Sequence, residues 1–391
     1  MSTVDIDLIN PIELSQRLIR CPSVTPHEGG ALDELQNVLE GLGFRCQRLL
    51  FSEEGTPDVD NLYARLGDTR PNFCFAGHSD VVPPGDTDGW GDDPFSGVII
   101  DGKLFGRGSS DMKSAIASFV SAAHRYILKV DEELPGSISL LITGDEEGPA
   151  INGTTKVLDW MSKNNEVIDA CVVGEPTNPD YLGQMIKIGR RGSLTGWLTV
   201  TGVQGHTAYP HLAENPLSKL VKMLEPLAEE QLDQGTEYFP PTTVAISSID
   251  TGNSATNVIP QKVTASFNIR FNDSRTADDI EKWLRAHFDS VGGNYTLETA
   301  CSSNAFITEP GALSEDLVSA IKDVVGTHPE MSTTGGTSDA RFIRKFCPVI
   351  EFGVVGKTMH KLNEHVEVKD VELLTDIYTE LLDRFFKRVN A

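Results

Sequence analysis

The order of apolar segments predicts an α/β fold: a discontinuous domain with a mixed sheet and flanking helices, into which a smaller ferredoxin-like (βαββαβ) domain is inserted. Three observations carry this. Strand and helix patterns alternate through the first half of the chain. A block follows in the order strand, helix, strand, strand, helix, strand. Patterns of the first kind then return. The larger domain is expected to take 1–191 and 305–391, and the insertion 192–304, roughly 110 residues and a usual size for a small domain.

In order, Ile12 to Ile19 and Ala31 to Leu42 carry apolar residues at helical spacing. Phe44 to Phe51, Asn61 to Leu66 and Asn72 to Gly77 read as strands. The Pro- and Gly-rich stretch from Pro83 to Pro94 is a loop. Lys113 to Leu128 predicts a helix of small and apolar residues. Ser137 to Thr143 and Ala170 to Val173 are short apolar runs that suit buried strands. In the insertion, Leu194 to Thr201, Thr242 to Ile249, Lys262 to Phe271 and Asn294 to Thr299 are the strands. Its helices are Asn215 to Leu227 and Asp278 to Phe288. The last part holds helices at Leu313 to Val325, Asp339 to Arg344 and Val368 to Phe385, and a strand at Pro348 to Gly353.

Composition excludes several function classes. No apolar run approaches the ~20 residues that a membrane-spanning helix needs. A net charge of −24 argues against nucleic acid or an anionic membrane as partner. A small anionic substrate stays open, because a few residues set the local field of a pocket. Met1 to Asn10 holds Asp5 and Asp7 and no basic stretch, so it does not read as a secretory signal. Cys21, Cys46, Cys74, Cys171, Cys301 and Cys347 form no Cys-x-x-Cys pair. They read as buried free thiols of a reducing compartment, and the expected location is cytoplasmic.

Chemistry gathers at predicted strand ends. Phe75-Ala76-Gly77-His78-Ser79-Asp80 places His78 and Asp80 just past a strand. Residues two apart on an extended chain share a face, and ligands in such sheets bind beyond the carboxyl ends of strands. Taken alone, the segment reads as a surface histidine near a turn. Asp111, in Gly108-Ser109-Ser110-Asp111-Met112-Lys113, stands where capping of the next helix would account for it. Thr143-Gly144-Asp145-Glu146-Glu147-Gly148 puts three acids at another strand end, which is costly unless a cation offsets their repulsion. Alone, it reads as a solvated acidic turn. Val173-Gly174-Glu175-Pro176 repeats the arrangement, and Met359-His360-Lys361-Leu362-Asn363-Glu364-His365 adds late histidines. Together they place a histidine or an acid after several core strands. Imidazole and carboxylate donors without thiolates suit zinc, cobalt or manganese.

In order and spacing these five segments resemble the two-zinc aminoacylase and carboxypeptidase family of metallohydrolases. The inserted block is similar to that family's lid and dimerisation domain, and the resemblance covers nearly the whole chain. It implies two Zn2+ per subunit, with Co2+ able to substitute at one site. His78 and Glu175 would hold one ion, Glu147 and His360 the other, and Asp111 would bridge. Each ion then has three protein ligands and one open position, the count of a catalytic site. The resemblance also implies that Asp80 orients His78 by accepting its second N–H. Glu146, unligated beside a ligand, is implied as the general base. A homodimer through the lid is implied too, with the partner subunit's His206 as an oxyanion donor. Taken alone, His206 reads as a loop histidine beside Gly205.

Further stretches are Gly189-Arg190-Arg191-Gly192-Ser193, Gly205-His206-Thr207-Ala208-Tyr209-Pro210, Asn257-Val258-Ile259-Pro260 and Thr334-Gly335-Gly336-Thr337-Ser338-Asp339. They are similar to those family members that remove succinate from N-succinyl-L,L-2,6-diaminopimelate. They imply substrate contacts from Arg190, Arg191, Tyr209, Asn257, Arg270, Gly336, Thr337 and Ser338. Arginine suits bidentate carboxylate binding, and a glycine turn before a helix offers N–H groups to an anion. Solvent-facing arginines and a plain helix cap account for the same residues. The expected substrate is a small N-acyl amino acid, succinylated by preference; the alternatives are an acetylated one such as acetylornithine, or the wider substrate range of a broad-specificity aminoacylase. Two positions depart from the pattern. Many such members have Asn-Ala where this chain has Gly356-Lys357. Many have Cys where it has His365, which makes His365 a competitor of His360.

Overall fold

The computed structural model describes residues 8–130, 134–229 and 231–389. The reading of the N-terminus through Asp5 and Asp7 lies outside them. Two compact units form: Met1–Ile188 with Thr308–Ser332 and Ser338–Ala391, and Gly189–Ile307 with Thr333–Thr337. Where the sequence predicts an insertion at 192–304, the smaller unit is a few residues longer at each end. It also takes in a short later segment that no local pattern marks.

Among the described residues, the larger unit is built on an eight-stranded mixed sheet. Its order is Arg45–Phe51, Val59–Leu66, Ser137–Thr143, Asn72–His78, Ala170–Val173, Val349–Glu351, Met185–Lys187, Glu330–Ser332. The four central strands, from Ser137–Thr143 to Val349–Glu351, run parallel. Each lies between two neighbours, so a near-continuous apolar run is what such a position demands, and every residue in them is buried. Parallel direction also lines up their carboxyl ends. His78 stands opposite Thr143, and Val173 is in register with both Ala76 and Glu351. His78, the turn after Thr143, Glu175 and Glu351 therefore leave the sheet at one edge.

The helix Ser114–Val130 packs against Pro11–Ile19 and Val368–Val389, and the last of these also against Ala312–Val325. Phe75 stacks on Phe119 at 4.6 Å, and Tyr378 meets both edge-on at 5.9 and 5.7 Å. Contacts of this kind are worth about 0.5–1.5 kcal/mol each beyond their burial. Asn10 caps Pro11–Ile19 by accepting the N–H groups of Ile12 and Glu13. Buried Lys113 donates to the carbonyls of Leu18 and Cys21 at the other end of that helix.

The strand and helix expectations hold with shifts of a few residues. The helix expected from Lys113 begins at Ser114. Asp111 lies before it in a separate turn, Ser109–Lys113, and its two carboxylate oxygens face His78 and His360, so capping does not account for this residue. The helix Thr154–Lys163 and the strands Met185–Lys187 and Glu330–Ser332 were not predicted. All six cysteines are free, but only Cys74, Cys171 and Cys347 are buried; Cys301 is exposed at the edge of its sheet. Among the described residues no helix is long and apolar enough to cross a membrane.

In the smaller unit four antiparallel strands lie in the order Thr243–Asp250, Lys262–Phe271, Gly192–Thr201, Asn294–Ser303. With the helices Pro216–Glu229 and Ala277–Val291, they form the βαββαβ split arrangement. Alternation along Lys262–Phe271 sends Val263, Ala265, Phe267, Ile269 and Phe271 into a core shared with Leu198, Met223, Leu284 and Phe288. Gly196 makes room for this core, since a Cβ there would stand 2.4 Å from the Phe267 ring. Asn268 and Arg270 point to the opposite face.

Candidate metal centre

His78, the last residue of its strand, is buried and held at both ring nitrogens. Nδ1 is 2.9 Å from the Asp80 carbonyl oxygen, and Nε2 is 3.1 Å from Asp111 Oδ1. Glu175 Oε1 lies 3.9 Å from the same Nε2. The other oxygen of Asp111 is 3.3 Å from His360 Nε2, which in turn is 2.7 Å from Glu147 Oε1. Asp111 thus offers one oxygen to a His–Glu pair on each side, as a bridging carboxylate would. Distance alone also groups ligand atoms of His78, Glu146 and Glu175 within 4.8 Å of one another, and likewise His78, Asp111 and Glu147. Glu146 therefore has the reach of a ligand as well as of a base.

Asp80 acts differently from expectation. His78 Nδ1 meets its carbonyl, while its carboxylate oxygen is 3.7 Å from that nitrogen. The Asp80 carboxylate instead accepts the backbone N–H groups of Glu146 and Glu147, at 3.3 and 3.1 Å. It holds the turn that carries both glutamates.

The electrostatics are those of crowded acids. Burial, and next the charge of Glu175, push Glu146 well above the usual carboxylate range. Burial raises Asp80 to about 6 despite its two N–H donors, and raises Asp339. In Asp111 burial works upward too, but hydrogen bonds from His360 and His78 hold it well below that range. Hydrogen bonds to Asp111 and Glu147 lift His360 to about 10. In His78 burial is outweighed by Asp111, Glu146 and Glu175, which hold its proton well above the ordinary imidazole value. The carboxylates of Asp111, Glu146, Glu147 and Glu175 outnumber the two imidazoles among them. A buried acidic excess is stable only if it takes up protons or cations. Nitrogen and oxygen donors at these separations fit divalent cations such as zinc.

Local chain geometry places these groups. Gly108, at φ +83°, turns the backbone into the Asp111 segment. His360 itself has φ +60°, a region few residues other than glycine enter. His365 has other partners: its ring packs on Phe105 at 4.9 Å, and Nδ1 meets the Asn363 carbonyl at 2.8 Å. Lys357, at the departure from the family pattern, pairs with Asp180 at 2.9 Å on the surface. Ser338 is fully buried and donates its hydroxyl to Glu351 at 2.7 Å, so its side chain is committed there rather than offered to a substrate.

The other expected contacts belong to the smaller unit. Arg190 is buried and donates to the Thr334 carbonyl at 3.3 Å, beside the exposed Gly336 and half-buried Thr337. Arg191 donates to Thr243 Oγ1 at 3.2 Å, and Arg270 to Asn268 Oδ1 at 2.9 Å. Burial and then the charge of Arg270 lower Arg191, and burial lowers Arg270. Two close guanidiniums whose partners here are a hydroxyl and an amide attract an anion. His206 and Tyr209 are exposed with ring centroids 5.7 Å apart, and the Thr207 N–H donates to the carbonyl of exposed Asn257.

Sequence reasoning passed over Arg107, Glu351 and Glu364. All three are buried beside the cluster or the turn after Gly336. The one signal for Glu364 is its place among the late histidines, and nothing in its spacing marks it.

The chain matches the profile of the peptidase family M20/M25/M40 over residues 74–384. A succinyl-diaminopimelate desuccinylase of Rhodospirillum centenum is 59% identical over 377 residues, covering 96% of this chain and 97% of its own length. One of Parvibaculum lavamentivorans is 56% identical over 381 residues, covering 96% of each. Among solved structures, an M20 family metallo-carboxypeptidase from Sulfolobus solfataricus superposes with a TM-score of 0.77 at 17% identity. That match covers 97% of this chain and 99% of the other. With its acids and imidazoles gathered at the strand ends and this likeness along nearly its whole length, the chain belongs to the peptidase family M20/M25/M40.

Proposed function

We propose that this chain is a two-zinc amide hydrolase that removes succinate from N-succinyl-L,L-2,6-diaminopimelate, a step of lysine and diaminopimelate synthesis. The observation that carries it is the geometry at Asp111, which faces His78 with one oxygen and His360 with the other, beside half-buried Glu146 and Glu147. The names of the relatives supply the substrate. His78 and Glu175 would hold one cation and Glu147 and His360 the other, with Asp111 offered to both; the resident metal would be zinc, with cobalt able to stand in at one site. Bound cations supply a polarised amide carbonyl and a more acidic water. Glu146 takes the proton of the attacking water on its carboxylate and returns it to the amide nitrogen as the C–N bond breaks. Its place next to the ligand Glu147 suits a group that acts first as base and then as acid. Asp80 holds Glu146 in place through its backbone N–H.

The smaller unit serves as lid and dimer surface in this reading, and the partner subunit's His206 donates to the oxyanion. Exposed Val221 and Ile249, on a helix and an edge strand of that unit, support such a surface. Arg190, Arg191, Arg270, Tyr209, Asn257, Gly336 and Thr337 contact the carboxylates of the substrate. Free thiols support a cytoplasmic location.

The test is kcat/KM of the zinc-loaded protein on N-succinyl-L,L-2,6-diaminopimelate and on N-acetylornithine. An acetyl group has no carboxylate, so donors meant for one stay unpaired. A succinyl preference on the order of 10⁴-fold is expected, with Arg191→Ala costing the succinyl substrate far more than the acetyl one. Equal values for the two substrates would remove the succinyl assignment and leave the hydrolase.

A further inference from the structure

Glu364 is fully buried, four residues after His360. Its carboxylate accepts four hydrogen bonds, all from the segment that carries Asp111. One oxygen takes Arg107 Nη1 at 2.6 Å and the Gly108 N–H at 3.2 Å. The other takes the N–H groups of Ser110 and Asp111, at 2.8 and 3.1 Å. The Glu364 carbonyl accepts the Gly106 N–H at 2.9 Å, and Arg107 also donates to the Lys361 carbonyl at 3.3 Å. Two successive peptide N–H groups bound to one oxygen fix the main chain from which the Asp111 side chain leaves. The same carboxylate belongs to the loop that presents His360.

A buried ion pair is a poor source of stability, since an apolar pair of like volume does as well or better. Orientation is what this carboxylate provides and an apolar side chain would not. We propose that Glu364, with Arg107, is a positioning residue: it locks the Asp111 main chain to the His360 loop. In that way it sets the separation at which Asp111 Oδ2 and His360 Nε2 share one cation. This rests on the two-cation reading. Outer groups that orient ligands typically govern metal affinity in this way.

The test uses the full-length protein stripped of metal. Zn2+ is titrated against a chelating dye, and Co2+ is followed by its visible absorption. The variants are Glu364→Gln, which keeps the shape but not the charge, and the double variant Arg107→Met/Glu364→Gln, which leaves no unpaired buried charge. In both, the second equivalent of Zn2+ is expected to bind about 10–100-fold more weakly than in the wild type, with altered Co2+ bands. A purely structural ion pair predicts that the double variant binds as the wild type does. If Glu364→Gln does not fold, the double variant decides alone. Wild-type affinity for both equivalents in the folded variants would overturn the proposal. Wild-type protein that binds fewer than two equivalents would instead overturn the two-cation reading, and this inference with it.

Discussion

His78 and His360 are where protons and cations compete. In the metal-free protein both imidazoles carry protons held by their carboxylate neighbours, His360 up to about 10. An imidazole that ligates a metal must give its proton up. Zinc loading at pH 7 is therefore expected to release about two protons per chain from these rings, with more from Glu146, whose raised proton affinity falls beside a cation. Calorimetry in buffers of different ionisation enthalpy measures the release, and a value near zero would contradict the ligand assignment. The sign of the pH effect on stability follows from the same groups. His360 and Asp80 both have folded-state values raised above their ordinary ones. Each contributes stability that is fully present below its ordinary value and is lost as pH rises, through about 6 for Asp80 and about 10 for His360. The metal-free protein should lose thermal stability on that rise more steeply than the loaded one.

At the scale of elements, legibility followed burial and length. Ser137–Thr143 and Ala170–Val173 could be read end to end, because a strand between parallel neighbours must be apolar throughout. Lys262–Phe271 was equally plain through its alternation. Met185–Lys187 and Glu330–Ser332 are too short to show any period, and Thr154–Lys163 buries only four residues. No single strand-end acid or histidine stood out; their recurrence after several core strands did, because solvated turns and caps explain each one but not the convergence. What stayed hidden was pairing over long distance. Asp80 supporting the 146–147 turn, Ser338 committed to Glu351, and Glu364 clamping the Asp111 segment each join residues with no local pattern between them. The motif around Ser338 shows which backbone N–H groups a turn can offer, not where the hydroxyl goes, and the hydroxyl goes to Glu351.

At the scale of the molecule, the acids and imidazoles all lie in the larger unit, while His206 and the arginines lie in the smaller one. If the partner subunit's His206 completes each site, two inactive variants should complement. His206→Ala protein mixed with Glu146→Gln protein, under conditions of proven subunit exchange, is expected to regain part of the activity. A mixture that exchanges subunits and stays inactive would count against a shared site. The central claim is narrower: two cations share Asp111, and Glu146 moves the proton without binding either. Its distances to His78 and Glu175 would equally allow Glu146 to be a ligand, so one sample separates the two roles. The most direct measurement is the zinc content of purified, zinc-loaded Glu146→Gln protein, with its turnover read on the same preparation. The account predicts two zinc ions per chain, as in the wild type, with kcat lower by about 10²–10⁴-fold. A variant that has lost a zinc ion, or one that turns over normally, would contradict it.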